Sequence, residues 1–155
     1  MLDKKFFNKL GVETKMKFRK HIFDPAGGGK SAKDVFGNDY KAYSVEYREA
    51  KKTGKISSQS EKFKDSKAPV LSGALMFSFE NDYKATGKGF GFGSMTEQGK
   101  VKKLANMGRV VSSNAKPVPD EVAKFIMKEM TKDVKGAFKK IRKSIRRKKI
   151  NIKIG

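Results

Sequence analysis

The chain has no cysteine and no tryptophan, a single histidine and four prolines in 155 residues. Without thiols it makes no disulfide, holds no metal through thiolates and has no cysteine nucleophile. His21 has no second histidine to share a metal or a proton-transfer pair with. Acidic residues are scarce, 16 in all, and no paired carboxylates stand out as a catalytic couple. The expectation is therefore a non-enzyme with no metal and no cofactor. No apolar run approaches the roughly 20 residues that cross a bilayer. The opening MLDKKFFNKLGVETK is charged throughout and lacks the apolar core of a secretory signal, so synthesis in the cytoplasm is expected.

What is abundant is positive charge. Lysine and arginine number 37, for a formal net charge of +21. Such an excess resists compaction and favours a polyanionic neighbour: nucleic acid, an acidic protein surface or anionic lipid. The excess concentrates in the second half, and no acid follows Asp133. At this length a single domain with its own core is the simplest organisation.

Along the chain, Phe6, Phe7, Leu10, Met16, Phe18, Ile22 and Phe23 have the spacing of one or two amphipathic helical pieces, loosened at Gly11. A glycine loop near 26–33 and a serine-rich stretch near 55–68 read as mobile surface loops. Between them, Phe36-Gly37-Asn38-Asp39 predicts a turn, and Ser44 caps a short helix that Gly54 ends. Phe36, Tyr40, Tyr43 and Tyr47 read as anchors of an irregular segment on the core.

Alternation of Leu75, Phe77 and Phe79 predicts a strand over about Leu75–Tyr83, paired through a KATGKG turn with a second strand containing Phe90 and Phe92. A short helix capped by Thr96 and ended by Gly108 follows, and RVVSS predicts a short strand. Pro119 and two acids open a long helix from about Asp120 to Lys148. Its stripe of Val122, Ile126, Met130, Val134, Phe138, Ile141 and Ile145 is expected in the core rather than on a membrane. The remainder, 150–155, alternates isoleucine and is expected to extend as a tail.

Two motifs invite a ligand. Gly29-Lys30-Ser31 is the second half of a phosphate loop, but its first glycine falls on Asp24 and no apolar strand precedes it, so nucleotide binding is not expected. Lys88-Gly-Phe-Gly-Phe92 matches the front of an RNA-recognition signature, with Gly93 and Met95 where Val and an aromatic belong. The plainer reading is a glycine-rich strand whose phenylalanines enter the core. The basic run Lys139, Lys140, Arg142, Lys143, Arg146, Arg147, Lys148 and Lys149 is the candidate contact surface for nucleic acid or an acidic partner. An RNA-binding, ribosome-associated protein is the alternative that this basicity keeps open.

Four stretches in order carry a resemblance: DVFGNDYKAYSVEYREAKKTGK (Asp34–Lys55), PVLSGALMFSF (Pro69–Phe79), KLANMGR (Lys103–Arg109) and KPVPDEVAKFI (Lys116–Ile126). Together the chain resembles the bacteriophage virion-morphogenesis and tail-completion proteins, the neck or head–tail joining components. The resemblance implies an α+β fold, with a small, mainly antiparallel sheet packed against an N-terminal helix and a long C-terminal helix. It implies one domain over 1–149. It also implies a structural virion protein in a ring, commonly sixfold, that joins tail to head. Its partners would be neck, tail-tube or tail-terminator proteins and the DNA that passes through the bore, with no membrane involved.

Overall fold

The computed structural model describes residues 2–53, 63, 65–70, 73–93 and 96–152, with side chains described as far as Ser144. It shows the α+β fold. The elements run α1 (Lys4–Phe23), α2 (Val45–Lys52), α3 (Ala74–Asn81), β1 (Tyr83–Ala85), β2 (Phe90–Phe92), α4 (Gln98–Asn106) and α5 (Asp120–Ile152).

α1 is central. Asp3 caps it, its Oδ1 accepting the Phe6 N–H at 2.7 Å. Phe7, Leu10, Thr14, Phe18 and Ile22 recur at steps of three and four and are buried along one broad face. The buried Thr14 hydroxyl is satisfied by donating to the Leu10 carbonyl at 2.7 Å. α1 runs unbroken through Gly11, where a helix loosened into pieces was expected. The glycine serves packing instead: a Cβ there would meet the Tyr83 hydroxyl at 2.6 Å and the Phe90 ring at 2.8 Å. The β-hairpin thus lies directly on the α1 backbone.

The hairpin pairs Tyr83 with Phe92, Lys84 with Gly91 and Ala85 with Phe90 in antiparallel register. The expected first strand is corrected. Residues 75–81 are helical, and β1 begins only at Tyr83. Gly73, at φ 79°, turns the chain into α3. Leu75, Met76 and Phe79 then share one buried face by helical spacing, while Phe77, the middle member of the alternation, is exposed. Leu75 and Phe79 satisfy a period of two and a period of 3.6 alike, so the sequence pattern was ambiguous.

Two smaller expectations are also corrected. RVVSS forms no strand: its backbone link to Val35 is a single bond from the Val35 N–H to the Val110 carbonyl at 2.8 Å, and Val111 is buried. The residue before α4 is Glu97, and no side chain caps the helix; Gly108, at φ 71°, follows its end as expected. Ser44 does cap α2, accepting the Tyr47 N–H at 3.2 Å. The turn at 36–39 forms because the Asp34 carboxylate accepts the Phe36 and Asn38 N–H groups at 2.9 and 2.8 Å.

The core gathers around the C-terminal half of α1. Phe18 lies 4.9 Å from Phe79 and 5.2 Å, edge-on, from Phe92. Ile22, Phe23, Val35, Tyr40, Phe63, Ala68, Val70, Leu75, Met76 and Val111 complete it. Arg19 pairs with Glu80 at 2.8 Å and so ties α1 to α3. α5 lies antiparallel along the other flank of α1. A leucine at position 11 would drive its side chain into Tyr83 and Phe90, so Gly11→Leu should destabilise by roughly 1–3 kcal/mol in urea unfolding. Unchanged stability would mean the hairpin does not rest on the helix.

Candidate functional site

The glycine loop is the first test of a ligand site, and it is occupied by the chain's own carboxylate. Asp24, in the left-handed region at φ 43°, folds its side chain into the loop. Its Oδ1 accepts the Gly27 N–H at 3.2 Å and its Oδ2 the Ser31 N–H at 3.0 Å. Gly29, at φ 78°, lies so close to Ser66 that a Cβ would collide with its hydroxyl. The amides that would cradle a phosphate therefore already hold an anion. This segment, expected to be loose, is bonded down. The stretch 55–62 lies outside the described residues.

The KGFGF aromatics point the same way. Phe92 packs on Phe18 and Phe90 lies against Gly11, so each half-buried ring is in part committed to the body. His21 has a structural place. Nδ1 lies 2.7 Å from Glu121 Oε1 on α5, and Nε2 lies 3.0 Å from the Asp34 carbonyl. Among the described residues no three of His, Asp and Glu cluster as metal ligands.

Sequence reasoning missed a buried cationic knot. Arg109 is only 3% exposed, yet no carboxylate pairs with it among the described residues. Its Nη1 donates to the Lys67 carbonyl at 2.8 Å and its Nη2 to the Lys41 carbonyl at 2.5 Å. The guanidinium lies 3.8 Å from the centre of the Tyr43 ring. Tyr43 in turn stacks on Tyr47 at 4.6 Å. Lys51, 1% exposed, donates to the Ser66 carbonyl at 3.2 Å. Burial, then the nearby Arg109 charge, lower its pKa. Burial raises those of Tyr40, Tyr43 and Tyr47. The knot pins the Lys41 and Lys67 backbones to the segment after α4, so its role is structural. The only trace of it in sequence is an arginine directly after a helix-ending glycine. Beside it, Tyr43, Tyr47, Leu75 and Leu104 line a cavity of about 320 Å³ with Lys100 and Lys103 at its edge.

The long C-terminal helix is the surface with the clearest functional shape. His21 meets Glu121, and the Lys17 ammonium lies 4.8 Å from the Phe125 ring centre. Further along, Phe6 and Leu10 line a cleft with Gly136, Ala137 and Lys140. The two helices are thus antiparallel, and α1 begins at Lys4 just where α5 reaches Lys140. α5 continues to Ile152, an overhang of about 18 Å at 1.5 Å per residue. Ile150 and Ile152 are therefore helical, not part of an extended tail; 153–155 lie outside the described residues.

The stripe expected in the core divides between two faces of the helix. Val122 is buried, but Val134, Phe138 and Ile141 are 38%, 61% and 52% exposed. The correction follows from helix geometry: each step of four turns about 40° further round the helix, so the stripe winds from the face on α1 to the face away from it. Of the candidate contact residues, Lys139, Lys140, Arg142 and Lys143 are all exposed on this part of α5. Arg146, Arg147, Lys148 and Lys149 fall within the helix, with side chains outside those described.

Comparison with known proteins finds no matching family model, curated protein or solved structure.

Two predictions follow from the knot. Arg109→Ala leaves two backbone carbonyls without their donor and should cost roughly 1–3 kcal/mol or more in denaturant unfolding. Alkaline pH tests the tyrosines. Their folded-state pKa values lie above the ordinary 10.0, so that part of the stability is complete below pH 10 and is lost as pH rises through the folded values. Lys51, lowered from 10.5, works oppositely and adds stability as pH rises towards that value. Above it the tyrosines alone set the slope, about 1.4 kcal/mol per pH unit for a fully protected phenol. Among the described residues nothing hydrogen-bonds the buried Tyr40 Oη, so Tyr40→Phe should keep neutral-pH stability and flatten the decline above pH 10.5. Parallel pH profiles would contradict this.

Proposed function

We propose that this chain is a structural assembly protein of the bacteriophage neck or tail-completion type, with no catalytic role. Its folded body is a ring subunit, and α5 is a cationic arm that reaches past the body to an anionic surface of the same assembly. The observation that carries the reading is the overhang of α5. Its last described side chains, from Phe138 to Ser144, are all exposed, and four of these seven residues are Lys or Arg. Turns that pack on nothing add little to the stability of their own domain. The resemblance of the Asp34–Lys55, Pro69–Phe79, Lys103–Arg109 and Lys116–Ile126 stretches supplies the virion setting. The inward packing of Phe90 and Phe92 weighs against the RNA-binding alternative, which rested partly on those rings.

Electron microscopy of the purified chain, alone and in virions that contain it, tests the reading. Closed rings are expected. A chain that stays monomeric at every concentration and is missing from particles would overturn it. Truncation after Ala137 tests the arm separately. Because the removed side chains that are described face solvent, unfolding free energy should move by no more than about 0.5 kcal/mol, while incorporation into particles should fail. A large loss of stability would show that the arm belongs to the body.

A further inference from the structure

α5 carries apolar residues on two faces, and only one is used. Val122, Ile126, Glu129, Asp133, Gly136 and Lys140 are spaced by threes and fours on the face turned to α1 and the core. A second set, Met127, Thr131, Val134, Phe138 and Ile141, has the same spacing about 150° round the helix at 100° per residue. Met127 is 65% exposed, and the other three apolar members are exposed as well. Steps of four, three, four and three are the a/d seam of a coiled coil, and in sequence the spacing continues at Ile145.

The seam has an asymmetric border. Lys128, Lys135 and Arg142 each follow a seam residue at intervals of seven, one basic residue per heptad, and Lys149 continues the series in sequence. The opposite border, Met130, Ala137 and Ser144, is uncharged. We infer that this face of α5 receives an amphipathic helix of a partner protein, with apolar residues on its own seam and a row of acidic residues against Lys128, Lys135 and Arg142.

Charge and spacing select this occupant. A second copy of α5 would set one polycationic helix beside another, with no acid after Asp133 in either. Duplex DNA would suit the lysines but would leave Phe138 and Ile141 against phosphate and sugar. The alternating four- and three-residue steps of the seam are those of helix pairing, a spacing that a bilayer surface does not require. A partner helix buries the strip and neutralises its basic border together. The inference deepens the assembly reading above and rests on it, since it names the chemistry of the neighbour that the arm meets.

The test uses the full chain and a synthetic helix of about four heptads, leucine at its seam and glutamate at its borders. The wild type should bind it about tenfold or more tightly than a scrambled peptide of the same composition. Phe138→Ser combined with Ile141→Ser should erase that preference, with the thermal melt unchanged because both side chains face solvent. Lys135→Glu with Arg142→Glu should weaken binding of the acidic peptide and create affinity for its lysine-bordered counterpart. Equal binding of the scrambled peptide, or indifference to both double variants, overturns the seam. Tighter binding to duplex DNA or to phosphatidylglycerol vesicles, dependent on Phe138 and Ile141, overturns the choice of a helix. Rings that form from a chain indifferent to the peptide would sink the seam and leave the assembly reading intact. Specific peptide binding without rings would uphold the seam and remove the ring.

Discussion

α1 offers one broad apolar face, and the rest of the body is arranged on its two flanks. Phe18, Ile22 and Phe23 gather the core from α3, the hairpin and the segments around Val35 and Val111. Leu10, Lys17 and His21 receive α5 on the other side. Apolar burial of this kind contributes about 25 cal/mol per Å², and α1 is the element through which most of that burial passes. Two particulars set how closely parts approach it. Gly11 lets Tyr83 and Phe90 rest on the helix backbone, and the Thr14 hydroxyl meets its own hydrogen-bonding need within the helix.

Positive charge is the opposing demand, and the fold handles it in two ways. Among the described residues no carboxylate pairs with the buried Arg109 and Lys51. Main-chain carbonyls and the faces of Tyr43 and Tyr40 surround them instead. Such cations are costly to bury and costlier to orphan, so they lock Lys41, Ser66 and Lys67 into one arrangement. The remaining excess is moved outward. Lys139, Lys140, Arg142 and Lys143 are all exposed on α5, where water screens like charges from one another. Packing on the body and exposed positive charge are thereby separated on one helix.

Elements that rest on local chemistry were legible in the sequence. The period of Phe7, Leu10, Phe18 and Ile22, the Ser44 cap, the Asp34 turn and the entry at Pro119 each depend on residues within a few positions, and each stands where local rules put it. Asp24 in place of the first phosphate-loop glycine likewise told against a nucleotide, and the structure adds that its carboxylate fills the loop. Misreadings arose where one pattern served two periods or where the outcome lay far along the chain. Leu75 and Phe79 fit strand and helix equally, and Gly73 decided between them. Arg109 reads as one more surface cation, because the carbonyls that hold it lie 42 and 68 residues away.

The sequence by itself determined the charge, the lack of thiol chemistry, the helical spans at both ends and the two apolar periods written on the last helix. Only the tertiary structure decided which of those periods is covered. Val122 and Phe138 are both apolar, but four steps of four set them about 160° apart round the helix. Which side is covered depends on where α1 docks, and it lies against the side of Ile126 and Gly136. The side turned to α1 joins the body, and the same kind of residue on the other side stays exposed.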